Sequence, residues 1–176
     1  AFNKSNKPAN FGLDNVSVSS GGKDLRTYSR DDLAHEAKVR AAWAALATAL
    51  AGAAAAYGAN QAAYQQTNGT IVTPRGGLVT YQETTYDPAV AAAGTAAASV
   101  ATAYGLSSIK NSLDQTIAHL NGSILQLNTV DPGQSIGGEI VVDLPKARSY
   151  PQPLEISIHW NDDVYLFDFD VTKSKG

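Results

Sequence analysis

Apolar and polar positions alternate near both ends of this chain. In the middle they give way to long runs of small residues. Leu154, Ile156, Ile158 and Trp160 alternate with Glu155, Ser157 and His159. After the turn Asn161-Asp162-Asp163, Tyr165, Phe167, Phe169 and Val171 alternate with Leu166, Asp168 and Asp170. That period of two predicts a strand pair with one buried face. Upstream, Ile124-Leu125-Gln126-Leu127 predicts another strand, the turn Asp131-Pro132-Gly133 follows, and a further strand covers 136–143. Gly137-Gly138 at its start implies a bulge or a close backbone approach. Near the other end, Phe2, Asn10-Phe11, Val16-Ser17-Val18 and Leu25-Arg26-Thr27-Tyr28 read as short strands, with a turn at Ser20-Gly21-Gly22-Lys23. The opening AFNKSNKPANFG is polar and reads as a surface edge or extended lead-in.

The middle follows another rule. Residues 41–74 and 88–109 contain no charged side chain, and both runs are dominated by alanine, the best helix former. Ser29 with Asp32 three residues on is a capping-box-like start for a first helix reaching about Gln66. Its larger residues, Val39, Trp43, Leu46, Leu50, Tyr57 and Tyr64, fall at heptad steps with Ala53 and Asn60 in the gaps, which predicts a packing seam. Asp87 caps a second helix with Pro88 in its first position, ending at Asn121-Gly122. Its predicted seam is Ala93, Ala97, Val100 and Tyr104, then Ile109, Leu113, Ile117 and Leu120. Gly52, Gly58, Gly94 and Gly105 would let the two helices approach closely in an antiparallel hairpin. The connector predicts a β-hairpin at 70–81.

These elements predict an α+β fold. An antiparallel, immunoglobulin-like β-sandwich is built from 1–28 and 123–176, and a long alanine-rich helical hairpin, 29–122, is inserted between them.

Composition narrows the function. Charged residues are 16% of 176, the net charge is −3, and no Lys/Arg cluster stands out, which argues against nucleic acid as partner. Zero cysteines exclude disulfides and thiolate metal sites. The chain opens at Ala1 without methionine, and any targeting or anchoring segment is expected ahead of residue 1.

No motif places a nucleophile, a general base or a phosphate loop. His35 and His119 fall at the base of the hairpin with Asp31, Glu36 and Asp114 nearby, a conceivable metal pair without metal-site spacing; solvated residues are the plainer reading. The acidic turn at 161–163 with Asp168 and Asp170 lacks the spacing of a calcium loop. Tyr57 and Tyr104 read as fillers of the alanine seam. Tyr64, Tyr81, Tyr86 and Arg75 form the candidate partner-contact patch near the hairpin tip. Residues 41–59 come close to a membrane-spanning length, yet lack the Leu, Ile and Phe density that insertion favours.

Thr129-Val130-Asp131-Pro132-Gly133, Gly137-Gly138, Val142-Asp143, then LEISIHW and FDFDV resemble the ending of a group of bacterial envelope proteins of unknown function, many of them predicted to be lipoproteins. The resemblance covers about fifty of the 176 residues and supplies no catalytic residues. It implies a secreted protein of the periplasm or outer envelope with an immunoglobulin-like module, any lipid-bearing cysteine preceding Ala1. The expectation is therefore a non-enzymatic envelope protein, needing no cofactor, that works by binding a protein partner or itself. The alternative is a membrane-active or oligomerising hairpin, and a metal-dependent enzyme comes last.

Overall fold

The computed structural model describes residues 1–72, 78–144 and 151–172. The protein is α+β, with two long helices and several antiparallel sheets. It divides into two compact units: Ala1–Ala37 with Gln115–Gly176, and Lys38–Asp114.

In the first unit, both ends of the chain share one core. Strand β1 (Ala9–Phe11) pairs with β7 (Asn128–Val130), and β4 (Thr27–Tyr28) pairs with β8 (Val141–Val142). β2 (Val16–Ser20) lies between β3 (Lys23–Asp24) and β9 (Gln152–Trp160), and β10 (Asp163–Val171) completes the order β10-β9-β2-β3. All these pairings are antiparallel. Phe11, Val16, Val18, Leu125, Val130 and Trp160 form the buried cluster, with Leu154, Ile156 and Ile158 packed against it. The Phe11 ring meets Trp160 edge-on, 5.1 Å between centroids.

The turns follow their sequence chemistry. Gly21 and Gly22, both at positive φ, join β2 to β3 in the two-residue loop that a tight hairpin requires. Gly133, at φ 76°, follows Pro132 in a turn closed by Gln134 N–H donating to Asp131 O. A Cβ on Gly138 would meet the Leu125 backbone at 2.7 Å, so this glycine marks a close approach. The strand expected over 136–143 is reduced to Val141–Val142, because its earlier residues run beside Leu125 and Ser123 through single backbone bonds. The strand expected at 124–127 starts only at Asn128. Ile124 forms an isolated bridge and Leu125 turns into the core.

The opening residues are mostly exposed, as expected of a surface edge, but they are tied into the fold through backbone bonds and Asn3. Ala1 and Ile136 exchange backbone hydrogen bonds, Asn3 N–H donates to Gln134 O, and Gly133 N–H donates to Asn3 O. The Asn3 side chain is wholly buried. Its amide donates to Lys7 O at 2.8 Å and Val130 O at 2.7 Å, while its oxygen accepts from the Ser5 backbone and hydroxyl. Buried polar atoms are tolerated when every one is bonded, as here.

Helix α1 (Arg30–Ala62) begins at the predicted box: Asp32 N–H donates to Ser29 Oγ, and Ser29 N–H donates back to the Asp32 carboxylate, each at 3.1 Å. The Ser29 hydroxyl and amide, aided by Arg26 and His35, hold the Asp32 carboxyl below its usual range. Helix α2 (Pro88–Ser123) starts with Asp87 accepting from the Ala89 and Val90 amides. It runs through Asn121-Gly122 rather than stopping there.

Asn3→Ala strips four hydrogen bonds from a sealed site. The expected loss is about 2–4 kcal/mol of unfolding free energy, read by urea denaturation.

Candidate functional site on the helical hairpin

The second unit inverts the expected sidedness of its helices. In α1 the sheltered positions are Ala41, Ala45, Thr48, Gly52, Ala56 and Ala59, all small. In α2 they are Ala91, Gly94, Ala98, Thr102 and Gly105, followed by Ile109 and Leu113. A Cβ on Gly52 would overlap Thr102, one on Gly94 would overlap Ala59, and one on Gly105 would meet Thr48 Cγ2 at 2.8 Å. As one residue number rises the other falls, so the helices run antiparallel with backbones close enough that glycine is needed at these crossings. The glycine signal was legible in the sequence for Gly52, Gly94 and Gly105. Gly58, by contrast, meets nothing within 4 Å.

The seam predicted from the larger residues is therefore wrong over most of its length. Trp43 is 68% exposed, Leu50 63% and Tyr104 77%. Val39, Leu46, Tyr57, Tyr64 and Val100 are exposed as well, as are Ala53, Asn60, Ala93 and Ala97. Only the later α2 positions, Ile109, Leu113, Ile117 and Leu120, are sheltered as expected. The reason is steric: bulky side chains in the seam would hold the helices apart, whereas small ones bring many backbone and Cβ atoms into contact at once.

Three hydroxyls along the hairpin are satisfied within their own helices. Thr48 Oγ1 donates to Ala44 O, Ser99 Oγ to Thr95 O and Thr102 Oγ1 to Ala98 O, at 2.8–2.9 Å. These bonds to the preceding turn leave the hydroxyls no need of water. Both helices are long and apolar enough, by length and composition, to cross a membrane.

α1 ends at Ala62, not Gln66, because Tyr64 already belongs to a strand. Strands β5 (Tyr64–Val72) and β6 (Leu78–Tyr86) form a hairpin longer than the 70–81 expected. Tyr64 and Tyr86 face each other in register with rings 4.9 Å apart, and Tyr86 donates its hydroxyl to Asn60 Oδ1 at 2.9 Å. Tyr81 lies opposite Gly69 and its ring covers the space a side chain there would take. The structure thus joins Tyr64 with Tyr86 and sets Tyr81 five residues earlier in β6, toward its start. Arg75 lies outside the described residues.

Among the described residues, no group of three or more His, Asp or Glu is arranged to hold a metal ion. His119 Nδ1 lies 3.2 Å from Ser123 Oγ, and His159 Nε2 lies 3.4 Å from Ser157 Oγ. No protein-family model, curated protein or solved structure matches the chain.

The two glycine environments predict opposite effects of one substitution. Gly58→Ala, in open space, should stabilise by up to about 1 kcal/mol through helix propensity. Gly52→Ala, against Thr102, should instead destabilise by about 1–3 kcal/mol. Chemical denaturation followed by circular dichroism compares them.

Proposed function

We propose that the chain is a non-enzymatic cell-envelope protein whose alanine-rich hairpin enters a lipid bilayer. The observation that carries this reading is the hairpin's sidedness: small residues meet in the seam and large apolar ones point outward. In water, a helix hides its bulky face; within lipid, tails are as apolar as leucine and helices associate through small residues instead.

Length and chemistry support the reading. Residues 41–62 and 88–109 carry no charge, and each 22-residue segment spans about 33 Å, close to the ~30 Å hydrocarbon thickness. Arg40 and Lys110 stand just beyond one end, Glu83 and Asp87 beyond the other. Trp43 and Tyr104 lie toward the charged base, and Tyr57 toward the β-hairpin, where interfacial aromatics belong. The Thr48, Ser99 and Thr102 hydroxyls, bonded to carbonyls of their own helices, lower the polar cost of insertion.

The pairing of both chain ends around one core supports reading the first unit as a β-sandwich of the immunoglobulin-like kind, the fold that the envelope-protein resemblance implies. A periplasmic or outer-envelope location would put a bilayer within reach. A second reading, oligomerisation of the hairpin in water, is favoured by the heptad spacing of the outward Val39, Trp43, Leu46, Leu50 and Tyr57.

Flotation with phospholipid vesicles separates the two. The expected result is wild-type protein rising with the vesicles and resisting carbonate extraction. Leu50→Lys alters an exposed side chain near mid-span and should retain helicity in buffer. A lysine there costs about 3 kcal/mol in the bilayer, so partitioning should fall about 100-fold. Wild-type protein that stays with the soluble fraction as an oligomer, and that Leu50→Lys turns into monomer, supports the aqueous reading and overturns insertion.

A further inference from the structure

Strand β10 carries a second unpartnered apolar surface, in the first unit and independent of the hairpin. All nine of its residues pair with β9, from Asp163 opposite Trp160 to Val171 opposite Gln152. Among the described residues no strand pairs with its outer edge. Register places Tyr165, Phe167 and Phe169 on the face that β9 lines with Ile158, Ile156 and Leu154. The β9 residues are sheltered by the core, whereas Phe167 is 45% exposed and Phe169 51%. Tyr165 and Phe167 also line an open apolar cleft of about 290 Å³ with Phe2, Phe11, Ile158 and Trp160. The apolar face of the sheet continues onto its edge strand without cover.

Soluble proteins protect such edges with proline, lysine, a bulge or a very short strand. β10 has none of these: it contains no Pro, Lys or Arg, its register with β9 is unbroken, and it is nine residues long. Its charges are Asp163, Asp168 and Asp170 alone.

The strand is complementary to itself in one arrangement. Antiparallel pairing about a two-fold axis at Phe167 sets Tyr165 opposite Phe169 and Phe167 opposite its own copy. It also sets Asp163 opposite Val171, Val164 opposite Asp170 and Leu166 opposite Asp168. Aromatic side chains meet aromatic ones, and every aspartate faces an apolar residue. Parallel, in-register pairing would stack aspartate on aspartate, which cross-strand electrostatics disfavour. A two-fold contact of this kind is closed, so it yields a dimer and not a fibre.

We propose that β10 is the edge through which two copies of this chain pair, antiparallel about Phe167, joining their four-stranded sheets into one of eight strands. The free backbone groups of each edge are then satisfied by the other, and the aromatic stripes merge across the junction.

The chain has no cysteine, so a single introduced thiol reports on its own neighbourhood. Under mild oxidation of the full chain, Phe167→Cys should cross-link to a covalent dimer that reductant dissolves. Val164→Cys, whose copy lies six residues away along the pair, should remain monomeric on denaturing gels. Tyr165→Cys mixed with Phe169→Cys should cross-link in the mixture and much less in either protein alone. This mixed pair keeps the test intact where Phe167→Cys disturbs folding. Phe167→Cys cross-linking no more than Val164→Cys, or a mixture no different from its components, would overturn the proposal. So would wild-type protein that sediments as a monomer at every concentration tested.

Discussion

The close approach of two helices through glycine, alanine and threonine decides how the rest of the second unit is arranged. A helix pair that packs through Gly52, Gly94 and Gly105 has no room in its seam for Trp43, Leu50 or Tyr104. Those residues must lie outside, and the outside becomes the apolar surface. The usual trade in water runs the other way, because burying a large side chain contributes about 1.5–3 kcal/mol. The surroundings that make this arrangement favourable are ones in which outward apolar groups are not penalised. This is the physical basis of the proposal that the hairpin enters lipid.

The first unit depends on a different constraint, the joining of distant chain segments. β1 needs β7, β2 needs β9, and β4 needs β8, so none of the first 28 residues forms its sheet locally apart from the β2–β3 turn. Asn3 strengthens that joining, with its amide bonded to Val130 O, 127 residues away. Segments with so many non-local contacts close slowly, since loop entropy is lost before the contacts form.

Much of the local structure was legible because it rests on residue-specific chemistry. Ser29 and Asp32 formed their reciprocal cap, Asp87 and Pro88 started α2, and Gly133 closed the turn after Pro132. The strands β9 and β10 paired in the register that their period-two pattern implies, but the expected buried face extends over β9 only, and β10 is exposed on both faces. The helix seam was misread because heptad reading assumes that large residues point inward, whereas glycine, alanine and threonine fill this seam and keep them out. The contact patch was only partly legible. Tyr64 was assigned to a helix because alanine continues up to Ala63, and its pairing with Tyr86 depends on a strand register that no local signal sets. Asn3 was missed because a polar opening segment looks solvated until its partners, Val130, Gly133 and Gln134, are known.

The two tryptophans allow the central claim to be examined directly. Trp43 stands outward on α1, while Trp160 is sealed in the β core against Phe11. In vesicles containing brominated lipids, with Trp160→Phe used to isolate one emitter and Trp43→Phe the other, Trp43 emission should be strongly quenched and blue-shifted. Trp160 emission should be unchanged. Trp43 fluorescence indifferent to brominated lipid, in protein that retains its helicity, would contradict the account.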